Sequence, residues 1–394
     1  MAAHQARAAA GRGDAPVRGV SPPTLDQGAL NRATLARQHL LERTDMDPEG
    51  MVRHLVGLQA QEPQSWYISL WARLRDFDAA ATGQLIEERR LVRLTLMRGT
   101  VHLATADDAP VLRAFVQPVI DRYVRGAYAR RLGELDLSEL EAEVRRLTAE
   151  PRPMSELAAA LAERWPSAER SQLSIAAKVV VPLVQVPPRA VWRHPGGVRL
   201  TALERWLSTR VPDAVDAAAL VRRYLGAFGP ASVADAQTWS GLTRLREVFD
   251  RLRPELITFR DRAGRELFDL PDAPRPDPDT PAATRFLADY DNVLLSHADR
   301  TRFAGDVDPR ALAYVEGPYP SALLVDGRYV GQWYLERARD RVTLTIKVGR
   351  PLTAPEEAAV RGEAAALVRF LVSHVEPPTI DIRIVPATPF TAPR

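Results

Sequence analysis

Between residues 30 and 270 the sequence runs through one order of signals three times: short helices with an apolar face, then two strand-like runs around a turn. The third copy is the clearest. Leu220, Val221, Tyr224, Leu225 and Phe228 share one helical face, which Gly229–Pro230 ends. Ser232-Val233-Ala234-Asp235 has the form of a capping box, and Ser240–Gly241 breaks the helix it opens. Leu242, Leu245, Val248, Phe249 and Leu252 make a third stripe, and 256–260 and 266–270 form a hairpin around Ala263–Gly264. In the second copy, Ser155 caps a helix to about Arg164 and another runs from about Ser171 to Leu183. Val186 to Trp192 and Val198 to Thr201 are strands around His194-Pro195-Gly196-Gly197. In the first copy, Asn31 caps a helix carrying Ala33, Ala36 and Leu40 on one face, and Asp47–Pro48 opens a second. Helices over about 64–74 and 82–89 follow, then strands 91–97 and 100–104 around Arg98–Gly99. Helices followed by a two-stranded wing describe a winged helix, a variant of the helix-turn-helix that places a helix in the DNA major groove.

This pattern sets the expected organisation. Residues 1–28, rich in Ala, Gly, Arg and Pro, are a disordered tail. Winged-helix units occupy 29–130, 131–210 and 211–270. Residues 271–281, with five prolines, are a linker. Residues 282–394 form a β-rich domain, with strands near 321–325, 328–335, 341–348 and 379–385, a hairpin turn at Asp326–Gly327, and a helix near 354–373. The fold class is α+β.

Composition removes several functions. The chain has no cysteine, so thiolate nucleophiles, disulfides and Cys-based zinc sites are excluded. No run of 18 uncharged apolar residues exists, so no membrane-spanning helix is expected, and the start of the chain has no secretory-signal pattern. Net charge is only +3, which permits nucleic acid without demanding it. Just two of the 53 basic residues are lysines, Lys178 and Lys347. Arginine forks bind phosphate bidentately, although GC-rich coding alone also yields such a bias. There is no phosphate-binding loop, dinucleotide fingerprint, nucleophile elbow or paired-histidine metal motif, so neither cofactor nor metal is implied.

One polar cluster stands out: Gly57-Leu58-Gln59-Ala60-Gln61-Glu62-Pro63. In an extended segment, residues two apart point the same way, so both amides can line one pocket. An amide orients water and meets developing charge, although a plain polar loop at a helix end explains the composition equally well. Gln59-Ala60-Gln61 resembles the Gln-hydrophobic-Gln catalytic motif of AlkZ/YcaQ-type DNA glycosylases. So do Leu30-Asn31-Arg32, Leu55-Val56-Gly57-Leu58, Leu70-Trp71-Ala72-Arg73-Leu74 and Met97-Arg98-Gly99-Thr100-Val101-His102-Leu103. The resemblance continues through 187–192, 228–232, Asp291-Asn292-Val293-Leu294-Leu295 and Leu324-Val325-Asp326-Gly327, in the family's order. The YcaQ-type branch carries Asp at the second polar position, so Gln61 is similar to the AlkZ branch.

The resemblance implies three winged helices in a concave arrangement plus a C-terminal β-rich domain. It implies excision of N7- or N3-alkylated purines from double-stranded DNA, with Gln59 and Gln61 as catalytic residues and bulky adducts or crosslinks as candidate substrates. General repair and self-resistance to an alkylating natural product both stay open. A cytoplasmic monomer is expected. Arg98 and His102 at the first wing, and Arg189 and Arg193 at the second, are the expected DNA contacts, with hairpin capping as the competing role for Arg98. Trp71 and Trp192 read as core, and Trp66 suits either role. Asp291 and His297 lie in family-like segments with no role assigned. The competing function is a non-catalytic winged-helix regulator, which has no need of the glutamine pair, or a relative that binds damaged DNA or a small molecule without excision.

Overall fold

The computed structural model describes residues 22–123, 135–305, 307, 321–372 and 379–387. Most of the expected tail lies outside them. Its end is already ordered: β1 (Thr24–Leu25) pairs in parallel with 260–261. Helix α1 (Gln27–Arg37) is capped by Asp26, whose side chain accepts from the Ala29 N–H. Asn31 is therefore not a cap. It is buried mid-helix, and its Nδ2 donates to the carbonyls of Arg302 and Gly327. The physical reason is that Asp26 offers an equally good cap one turn earlier, and the helix face then carries Asn31 inward.

Helix α2 (Pro48–His54) starts where Asp47–Pro48 predicts, with Asp47 capping Gly50. Then come β2 (Leu58–Gln59), α3 (Ser65–Trp71), α4 (Ala79–Glu87), β3 (Leu91–Thr95), β4 (Val101–Thr105) and α5 (Asp108–Tyr123). The second copy comprises α6 (Leu137–Leu147), β5 (Arg152–Pro153), α7 (Met154–Arg164), α8 (Arg170–Val180), β6 (Leu183–Gln185), β7 (Arg199–Ala202) and α9 (Leu203–Leu207). Ser155 lies inside the first turn of α7 rather than capping it. Residues 186–192 are not a strand. Pro187 and Pro188 have no N–H to donate, so pairing ends once the Val186 N–H meets the Arg199 carbonyl. The first two hairpins join in one six-stranded sheet, ordered β2-β4-β3-β6-β7-β5.

The third copy follows its sequence pattern closely: α10 (Ala217–Phe228), α11 (Val233–Ser240) with the Ser232–Asp235 capping box, α12 (Arg246–Leu252), β8 (Ile257–Asp261) and β9 (Glu266–Asp269). Residues 271–281 lack regular structure but are tied down. The Pro274 carbonyl accepts from Arg37, and the Thr280 carbonyl accepts from Arg32. The last region contains β10 (Arg285–Phe286), α13 (Asn292–Leu295), β11 (Ser321–Val325), β12 (Arg328–Arg337), β13 (Arg341–Val348), α14 (Ala354–Val372) and β14 (Thr379–Pro386). Its sheet runs β10-β11-β12-β13-β14 and is covered by the Val360, Ala364, Leu367 and Leu371 face of α14. Asp326 and Gly327 both take positive φ (46° and 70°), as the tight hairpin turn requires.

Buried ion pairs join these layers. Arg37 grips Asp269 bidentately (2.6 and 2.8 Å), and Arg73 grips Asp291 (2.8 and 2.7 Å). All four side chains are fully buried. The first pair fixes α1 to the third hairpin, and the second fixes the turn after α3 to the start of α13.

Candidate active site

The glutamine segment is shaped by a reversal of the chain after α2. Val56 and Gly57 both adopt positive φ (56° and 90°). At Gly57 a side chain would be strained and its Cβ would lie 3.0 Å from the Leu103 carbonyl oxygen. The reversal lays β2 antiparallel to β4, with Gln59 opposite His102, and the Ala60 N–H donates to the Val101 carbonyl (2.8 Å). Ala60 is buried, so Gln59 and Gln61 flank it and line one open cleft of about 630 Å³.

That cleft draws on three separate stretches of the chain. Thr95, Gly99, Thr100 and Val101 come from the first hairpin, Ile175, Lys178 and Val179 from α8, and Tyr290 from the turn before α13. Among the described residues, no Asp or Glu lines it. Burial pushes the Lys178 ammonium below the usual lysine value. Among the described residues, no cluster of three or more metal-ligating side chains exists, and no helix is long and apolar enough to cross a membrane.

The two amides are held differently. Gln59 is buried, and its Oε1 accepts from Arg98 Nη2 at 2.6 Å. Its backbone N–H donates to Asn292 Oδ1 (3.1 Å), while Asn292 Nδ2 donates to the Gly57 carbonyl (2.9 Å). Asn292, itself 1% exposed, thus clamps the strand from the C-terminal region. Gln61 is exposed, and its Oε1 meets the Val101 N–H at a long 3.4 Å.

The structure separates Gln59 and Gln61, which it brings together, from the other expected contacts. Arg98 sits at the hairpin turn with φ +56°, and its Nη1 donates to the Trp239 carbonyl (2.6 Å). Burial and the Arg300 charge hold its guanidinium down to about 10, which leaves it protonated at neutral pH. Arg98 therefore faces the protein and not a groove. His102 is fully buried, with Nδ1 3.0 Å from the Thr100 carbonyl; burial, then the Arg98 charge, lowers it to about 3. A buried, neutral ring does not reach DNA. Arg189 donates to the Gly196 carbonyl within its own loop. Arg193 donates to the Phe370 and Leu371 carbonyls at the end of α14. Trp192 and Trp71 pack on Phe370 (5.2 and 5.8 Å between centroids), and Trp66 is buried against Tyr67 (3.6 Å). All three are core. Asp291 caps Val293 while pairing with Arg73, and His297 Nε2 lies 2.9 Å from the Phe228 carbonyl. Both hold the scaffold together.

A family model for AlkZ-like DNA glycosylases matches residues 52–370. The chain belongs to that family. An interstrand DNA cross-link repair glycosylase from Streptomyces sahachiroi is 27% identical over 322 residues, covering 76% of this chain and 85% of that relative. The structure of the Streptomyces sahachiroi DNA glycosylase AlkZ superposes with a TM-score of 0.71 at 21% identity, covering 92% of this chain and 100% of that one. The α+β architecture with its strand-rich C-terminal sheet is thus the family's, and the protein is a DNA N-glycosylase acting on damaged DNA. In this glycosylase, sequence reading missed Asn292, Tyr290 and Lys178. Asn292 did lie in a family-like segment, but nothing in a sequence reveals that a residue 233 positions away closes on a strand.

Proposed function

We propose that this glycosylase hydrolyses the N-glycosidic bond of N7- or N3-alkylated purines in duplex DNA, with Gln59 and Gln61 as the catalytic pair. The observation that carries this reading is a cleft lined, among the described residues, by two amides and no carboxylate. A neutral base needs a strong general acid to leave, whereas an alkylated purine already carries the charge and leaves as a neutral molecule. What remains is to place water at C1′ and stabilise a sugar that resembles an oxocarbenium ion. Amides suffice for that.

The cleft is open rather than a closed pocket for one flipped base, which favours bulky adducts. The relative described as an interstrand cross-link repair enzyme supports extending this to crosslinks. Lys178 and the exposed Arg300, beside Arg98, are better DNA contacts than Arg98, His102, Arg189 and Arg193, whose polar groups are engaged or buried. The three helix-and-hairpin units are read as winged helices that cradle the duplex.

The test offers purified protein duplexes carrying N7-alkylguanine adducts of increasing size, and an N7-linked interstrand crosslink, and measures abasic sites. Release of base from several adduct sizes is expected. Binding without any release would favour the non-catalytic reading.

A further inference from the structure

The two ends of a glutamine amide have opposite hydrogen-bonding character, and the fold decides which end of Gln59 meets the cleft. A guanidinium only donates. The Gln59 atom 2.6 Å from Arg98 Nη2 must therefore be the carbonyl oxygen, whichever way the amide is drawn. Neither partner is free to turn. Arg98 is tied to the Trp239 carbonyl through Nη1, and its backbone lies in the left-handed region beside Gly99. Gly241 packs so close that a Cβ there would lie 3.1 Å from Arg98 Cα. Gln59 is pinned by Asn292 on one side and by strand pairing with His102 on the other. The amide nitrogen is the end left for the cleft.

We infer that Arg98 is a positioning residue that fixes the polarity of Gln59, so that Gln59 presents an Nε2–H donor to the bound nucleotide while Gln61 supplies the oxygen that orients water. This rests on the excision of alkylated purines proposed above, and it divides labour between two residues that look alike in sequence. A carbonyl with a guanidinium behind it is a poor partner for a cationic sugar. The same guanidinium polarises the amide and strengthens its N–H as a donor. Such a donor, in a positive field, suits a phosphate oxygen next to the lesion sugar. Neither Gln59 nor Arg98 exchanges a bond. Water adds at C1′, the C1′–N9 bond breaks, its electron pair neutralises the purine cation, and the proton of the attacking water passes to solvent. Gln61, exposed and loosely held, is free to turn its oxygen to that water.

The experiment compares single-turnover excision of N7-methylguanine from a duplex by the parent, Gln59→Glu, Arg98→Lys, Arg98→Ala and the double variant Gln59→Glu/Arg98→Ala, with unfolding midpoints and duplex affinity for each. A glutamate keeps the shape and accepts from Arg98 at least as well, so the midpoint of Gln59→Glu should not fall. It offers no donor at neutral pH, and its rate should drop on the order of a hundredfold. Arg98→Ala should lose rate, and Arg98→Lys should recover part of the loss. The double variant should be no slower than Gln59→Glu, because both changes act through one amide. If Gln59→Glu excises within about threefold of the parent, or the two losses add in full, the proposal is overturned and the working atom is an oxygen. A parent that binds the duplex but releases no base overturns the excision reading itself, and this inference with it.

Discussion

Replacing Asn292 with alanine tests whether the C-terminal region holds the Gln59 strand in place. The change removes an acceptor 3.1 Å from the Gln59 N–H and a donor 2.9 Å from the Gly57 carbonyl, at a site 1% exposed. Each buried backbone group left without a partner costs ~1–3 kcal/mol, so the variant should lose ~2–5 kcal/mol, toward the lower end where water fills the space. Catalysis should suffer separately. With the clamp gone, β2 can shift, and a displacement of ~1 Å costs on the order of a hundredfold in rate. Asn292→Asp sharpens the test. It keeps the volume and the acceptor for Gln59 but places a carboxylate oxygen against the Gly57 carbonyl, and it should be at least as destabilising as alanine. Urea unfolding gives the stability loss from the midpoint at constant slope, and single-turnover excision gives the rate. If Asn292→Ala lies within ~0.5 kcal/mol of the parent and excises at the parent rate, the clamp is a bystander.

Three further outcomes are expected. Gln61→Ala should slow excision on the order of a hundredfold with duplex affinity nearly unchanged, and Gln61→Asp should retain more activity than alanine because a carboxylate orients water and meets a sugar cation; equal rates for both variants would remove Gln61 from the chemistry. Duplex affinity should fall steeply with salt, by a log–log slope of roughly −0.9 for each phosphate neutralised, and a flat response measured by anisotropy would contradict backbone binding. Acid should destabilise the fold well before most carboxylates titrate. Burial holds His102 near 3 and, with the His54 and Arg73 charges, His39 near 4, and it keeps His297 well below its ordinary value of 6.5. The unfolded chain takes up protons near 6.5 that the native state refuses, so stability is constant above that pH and declines as pH falls toward 4, by up to about 1.4 kcal/mol per unit for His102; urea midpoints that stay level from pH 6.5 to 4 would contradict this.

What the sequence disclosed was local. Ser232–Asp235 capped a helix as its pattern says, Asp47–Pro48 opened one, and Asp326–Gly327 turned a hairpin, because each signal acts within four residues. The spacing of Gln59 and Gln61 likewise allowed them to share a pocket, and both line the cleft. What it concealed was partnership across the chain. Arg98 reads as a groove-facing cation because charge at a turn usually points outward. It turns inward because the Trp239 carbonyl and the Gln59 oxygen are waiting there, and both arrive only through tertiary packing. The same holds for Arg193, whose Nη2 donates to the end of α14, and for His102, whose strand is paired on both sides within a sheet and is not the edge of a wing. The joining of two hairpins into one sheet is invisible to periodicity, since each strand satisfies its pattern with either neighbour.

The cleft takes walls from the first hairpin, α8 and the Tyr290 turn, and its clamp from Asn292. A ribosome delivers these pieces in order, with Asn292 emerging 233 residues after Gln59. A copy that ends before Asn292 therefore carries both glutamines without the side chain that clamps their strand. Base removal leaves a lesion of its own in DNA, and on the function proposed above this arrangement withholds that reactivity until Asn292 has been made. On that reading, the position of Asn292 acts as a safety catch that releases only once the chain has folded back from Asn292 onto Gln59.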